Sequence, residues 1–149
     1  MRTGEFLDSV VEFGGADNPV KAANVTRVVL EDLGHRLTAR AAENLGAQLP
    51  EELKLTLTSR VPDKQVTDNV EQFLRRVAAD LGEVDQDVAT ARVRAVFATL
   101  AQAVSAGRIE DVRSQLPAGF GPLFTPSPAE DPQPRSVSGA DRSRPAGLR

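Results

Sequence analysis

Large apolar residues recur at helical spacing over residues 1–124 and are nearly missing beyond them. Phe6, Leu7, Val10, Val11 and Phe13 predict a short amphipathic helix, stopped at Gly14-Gly15 by residues that tolerate a left-handed C-cap. Asp17 or Asn18 is placed to cap a second helix with Pro19 at its first position. Ala22, Val25, Val29 and Leu33 follow at spacings of three and four, and Val28 and Leu37 widen the stripe. Thr38 is placed to cap a third, shorter helix carrying Ala41, Ala42 and Leu45. Leu49-Pro50-Glu51-Glu52 opens a fourth, with proline in the first turn and acids at the positive end of the helix dipole. No segment alternates long enough to predict a strand. The best candidate, Lys54 to Thr58, equally suits a last helical turn.

The same pattern then returns. Shifting the chain by 67 positions aligns residues 6–57 with 73–124 without a gap and gives 13 identities in 52 pairs, where roughly three or four are expected from residue usage. Phe6-Leu7 meets Phe73-Leu74, Val10 meets Val77, Gly15 meets Gly82, Val29 meets Val96, Leu33 meets Leu100, and Gln48-Leu49-Pro50 meets Gln115-Leu116-Pro117. Asp85 or Asp87 is expected to open the long helix of the second copy and Ser105 its short one. The fold class expected is all-α: two tandem repeats of about four helices each, packed about a pseudo-twofold axis into one bundle. Residues 1–58 form the first repeat, 59–68 a linker containing Pro62 and Asp63, and 69–124 the second repeat. Halves of this size are marginal alone, which favours one shared core.

Composition separates a body from a tail. Residues 125–149 hold five prolines and only Val137 and Leu148 as large apolar residues, too few to offset the entropy of ordering, so a disordered tail is expected. The full chain of 149 residues carries a net charge of −3, has no cysteine and one histidine, and is 4% aromatic. Cysteine-dependent chemistry is excluded, and so is any multi-histidine metal site within one chain. Acidity and the lack of aromatic stacking platforms disfavour nucleic acid as a partner. No apolar run is long enough to span a membrane, no signal peptide is recognisable, and a cytoplasmic location is expected.

The search for chemistry is mostly negative. There is no GxxxxGK[ST], GxGxxG or GxSxG motif, and no Glu-x-x-His motif of di-metal bundles. His35, late in the long helix, lacks an indicated nucleophile or orienting partner. No catalytic residue, metal site or cofactor is therefore assigned. The polar residues that recur are Arg27 and Arg94, Glu43 and Glu110, Gln48 and Gln115. One reading is architectural: each Glu pairs with the recurrent Arg of its own or the partner half, and each Gln ties down the turn before the proline helix. The other is a recognition site assembled twice. Arg75, Arg76, Arg92, Arg94 and Arg108 also concentrate basic charge in the second repeat.

These features resemble one family. Phe73-Leu74-Arg75-Arg76-Val77, then Ala91-Arg92-Val93-Arg94-Ala95-Val96, then Gly107-Arg108-Ile109-Glu110-Asp111-Val112-Arg113-Ser114-Gln115-Leu116-Pro117 are similar to the duplicated unit of domain-of-unknown-function family 2267, over about residues 5–124. The resemblance implies a bacterial, all-helical protein and implies no activity. The function expected is a non-enzymatic helical module for protein interaction or assembly, its partner another protein or a second copy of the chain. The alternative is a regulatory domain binding a small molecule or anion through the repeated arginines between the halves.

Overall fold

The computed structural model describes residues 1–59, 66, 68–117 and 119–124. The tail expected at 125–149 lies outside the described residues, and so does most of the linker expected at 59–68. The described residues form α1 (Thr3–Glu12), α2 (Pro19–Gly34), α3 (Ala39–Gly46), α4 (Glu51–Thr58), α5 (Val70–Leu81), α6 (Gln86–Ala103), α7 (Ala106–Gln115) and a closing 3-10 turn, η1 (Gly121–Phe124). The class is all-α, with no strand among them.

The helix ends follow the local chemistry. α1 stops where Gly14 adopts φ +86°; the Gly14 amide donates to the Val11 carbonyl and the Gly15 amide to that of Val10, a Schellman arrangement. Of the alternatives at the next start, Asn18 is the cap, accepting from the Lys21 amide with Pro19 following. Asp85 caps α6. Thr38 caps α3 and Ser105 caps α7, each accepting an amide of the first turn. Lys54 to Thr58 is helical, the last part of α4.

α2 and α6 are the central pair, buried around most of their circumference, as helices within a core are. α2 contacts α1, α4, α5 and α6; α6 contacts α1, α2, α5, α7 and η1. α3 lies against α4 and α7. The expected stripe of Ala22, Val25, Val28, Val29, Leu33 and Leu37 is buried throughout, as are Phe6, Val10, Phe73 and Val77. Two glycines permit close approaches. A Cβ on Gly15 would come within 2.7 Å of the Ala95 Cβ, where α1 meets α6, and one on Gly34 would collide with the Leu57 carbonyl oxygen.

The expectation of a fourth helix in the second repeat is corrected. Among the described residues after Pro117 the element formed is η1. Gly119 sits at φ +105°, which is not helical, and Gly121 and Pro122 weaken the next turn. The apolar side chains keep their places without the helix. Phe120, Leu123 and Phe124 are buried, Phe120 against Phe73 at 5.2 Å and Phe124 stacked on Phe97 at 4.6 Å between ring centroids.

Candidate functional site

The recurrent polar residues separate into three kinds. The glutamines cross between helices distant in sequence. Gln48, just past α3, accepts from the Ser105 amide at 2.7 Å and donates to the Ser105 hydroxyl at 3.4 Å. Gln115, at the end of α7, accepts from both the amide and the hydroxyl of Thr38, each at 3.3 Å. Each glutamine thus engages the capping residue of the other short helix. The turn before the proline helix is not what they hold, because α3 and α7 lie side by side and bring each C-terminal end to the other's start.

Neither glutamate pairs with Arg27 or Arg94. Glu43 lies 3.8 Å from Lys54 on the neighbouring α4, and Glu110 lies 3.5 Å from Arg113 one turn along its own helix. Both are mostly exposed, so each pair is a modest surface contribution.

The two arginines differ from one another. Arg27 on α2 donates from Nη1 to Glu31 at 3.2 Å and from Nη2 to Asn24 at 2.8 Å. The residues 67 positions after Asn24 and Glu31 are Ala91 and Ala98. Arg94 on α6 consequently has no such partners, and its Nε is buried without a hydrogen bond among the described residues. It lines a cavity of about 330 Å³ bounded by Val70 and Leu74 of α5, Asp87 and Thr90 of α6, and Leu123 of η1. The other second-half arginines are dispersed rather than gathered. Arg92 donates to the Gly15 carbonyl at 2.6 Å, and Arg108 pairs with Asp111 at 3.1 Å beside a smaller cavity of about 220 Å³ between α3 and α7.

A buried polar cluster was not anticipated. Arg36 is 1% exposed; its Nε and Nη2 grip both carboxylate oxygens of Asp68 at 2.8 and 2.7 Å, and its Nη1 donates to the Asp32 carbonyl at 2.7 Å. The guanidinium lies 4.8 Å over the Phe73 ring. Beside it the buried Asp32 carboxyl faces His35, with Nδ1 at 3.8 Å, and the Asp80 carboxyl of α5. The signal for Asp32 was in the spacing: it falls on the apolar stripe, three residues after Val29 and four after Val28.

Burial pushes the Asp32 carboxyl up to about 7, with hydrogen bonding to and repulsion from Asp80 adding to the rise while Arg36 and Arg76 oppose it. A carboxyl held above its unfolded value favours the folded state while protonated. That contribution is complete below about pH 4 and is lost as pH rises through about 7. Asp32→Asn, which keeps a neutral amide there, should therefore gain stability relative to the parent protein between pH 5 and pH 8, by up to a few kcal/mol. Urea unfolding at the two pH values reads this; a difference independent of pH would show that Asp32 does not hold the proton.

Among the described residues no group of three or more His, Asp or Glu side chains is placed to hold a metal ion, and no helix is long and apolar enough to cross a membrane. The class so defined is an all-α bundle whose polar chemistry is gathered into arginine-bearing cavities and one buried ionic cluster. The chain belongs to the DUF2267 family of uncharacterized conserved proteins, whose model matches residues 3–123. Comparison with functionally curated proteins gives no match.

Proposed function

We propose that this protein is a non-enzymatic binding module that takes a small anionic ligand at Arg94. The observation that carries the reading is the contrast with Arg27. The same side chain recurs 67 residues later with both partners replaced by alanine, and it lines a cavity with a buried, unsatisfied nitrogen. A buried cationic donor left unpaired is costly, and an arginine fork suits carboxylate or phosphate. The protein-interaction reading has less support: among the described residues four large apolar side chains stand exposed, Met1, Val20, Leu55 and Val84.

The proposal includes the architecture. The chain is a tandem duplication folded about a pseudo-twofold axis. In support, α1, α2 and α3 start at residues 3, 19 and 39, and α5, α6 and α7 at 70, 86 and 106, each 67 later. The packing is reciprocal as well, α1 on α6 and α5 on α2, and the glutamine contacts cross in both directions. A bacterial, cytoplasmic setting belongs to the same proposal.

Thermal unfolding of the full chain with and without phosphate or acetate tests the ligand reading. A ligand at a hundred times its Kd adds about 2.7 kcal/mol to stability, so the melting temperature should rise with anion concentration. Arg94→Gln should remove the rise and Arg27→Gln should keep it. An unchanged melting temperature in both salts would remove the support for an anion site and return the protein-interaction reading to first place.

A further inference from the structure

Resting on the anion reading of Arg94, we infer that the ligand of this cavity is an organic anion with a single charged head and an apolar body, its carboxylate or phosphate head on Arg94 and its chain against Val70, Leu74 and Leu123. The two halves of the molecule make the case by difference. Around Arg27 the corresponding positions are polar: Thr3 donates its hydroxyl to Glu52 at 3.0 Å, and Asn24 and Glu31 hold the guanidinium. Moving 67 residues along, Thr3 becomes Val70, Glu52 becomes Gly119, Asn24 becomes Ala91, Glu31 becomes Ala98 and Thr56 becomes Leu123, while Leu7 remains as Leu74 and Arg27 as Arg94. Five polar groups are gone and two are gained, Asp87 in place of Val20 and Thr90 in place of Ala23, while the cation stays, and the space is an open surface cavity of about 330 Å³. Gly119 helps to keep it open, since a Cβ there would stand 3.0 Å from Val70 Cγ1.

The polarity also has a direction. Asp87 and Thr90 line the same cavity from the N-terminal part of α6. Asp87 precedes Arg94 by seven residues, which is two turns and roughly 10 Å along the helix. An anionic head is attracted at the Arg94 end and repelled at the Asp87 end. A ligand charged negatively at both ends therefore places one charge against Asp87. The cavity selects for one anionic end, and for an apolar body over a bare ion.

The test is calorimetric and NMR titration of the full-length protein with octanoate, octyl phosphate, acetate and octanedioate. Octanoate or octyl phosphate should bind at least tenfold more tightly than acetate and octanedioate, with methyl shifts at Val70, Leu74 and Leu123; the better of the two identifies the head group. Arg94→Gln should weaken octanoate at least tenfold. Leu123→Thr, which restores the residue type of position 56, should weaken octanoate and leave acetate unchanged. The methyl shifts of the unsubstituted protein locate the site even if a variant does not fold. Acetate binding at Arg94 as tightly as octanoate would overturn the apolar body and leave the anion site standing. Octanedioate binding as tightly as octanoate would overturn the selection for one anionic end. No binding by any of the four, or octanoate shifts elsewhere on the surface, would overturn both this inference and the anion reading beneath it.

Discussion

Arg36→Met is expected to lower the unfolding free energy by about 3–5 kcal/mol, the range for breaking a buried ion pair from one side. Methionine fills much of the arginine stem's volume, so the loss reports the charge and its hydrogen bonds rather than a void. Removing the guanidinium leaves the Asp68 carboxylate without its two donors and the Asp32 carbonyl without one. The contact over the Phe73 ring goes with it. Because Asp68 immediately precedes the cap of α5 and Arg36 lies two residues past the end of α2, the pair ties the entry of α5 to the end of α2. Urea unfolding at pH 7 measures the effect. Pairing Arg36→Met with Asp68→Asn should recover part of the loss, since the stranded charge is then removed. A loss below about 1 kcal/mol for Arg36→Met would place this pair with exposed salt bridges.

Phe73→Ala is expected to cost about 3–5 kcal/mol, as aromatic truncation in a core does. The ring is fully buried, 6.0 Å from Phe97 and 5.2 Å from Phe120 between centroids, and carries Arg36 on its face. It joins α5 to α6 and to the segment before η1, where no helix of its own holds the chain in place. Truncation should therefore loosen residues 119–124 before the rest, visible as faster amide exchange there than in α1 to α4. Phe73→Leu, which retains most of the apolar volume, should cost much less. Since Phe73 and Arg36 touch, their combined substitution should fall short of the sum. An additive result would mean that ring and guanidinium act separately.

What could be read from the sequence depended on how local the cause was. Helix starts were legible because an Asn, Thr, Asp or Ser side chain caps amides two or three residues ahead, as Asn18, Thr38, Asp85 and Ser105 do. Buried positions on α2 and α6 were legible from their spacing. That η1 rather than an α-helix matching α4 follows Pro117 was legible in Gly119, Gly121 and Pro122, yet the 67-residue sequence match favoured a helix. The roles of the polar residues were not legible, because they depend on which helices come together. Nothing local indicates that Gln48 reaches Ser105 or that Arg36 finds Asp68. Arg94 is an intermediate case. Its alanine neighbours at 91 and 98 were available to compare with Asn24 and Glu31, but their meaning appeared only once Arg27 was seen holding both.

The crossed glutamines bear on how this molecule can change over time. Thr38 and Ser105 each begin a helix, and each is held by an amide side chain belonging to the far end of the other. A chain cut between α4 and α5 separates both glutamines from the caps they serve. Altering Gln48 is felt at residue 105 and altering Gln115 at residue 38. On the proposed duplication, sequence drift in one half is thereby answerable to the other at this junction, while the cavity around Arg94, lined by residues of α5, α6, η1 and Gly119 before it, draws on the second half and can diverge from the surroundings of Arg27.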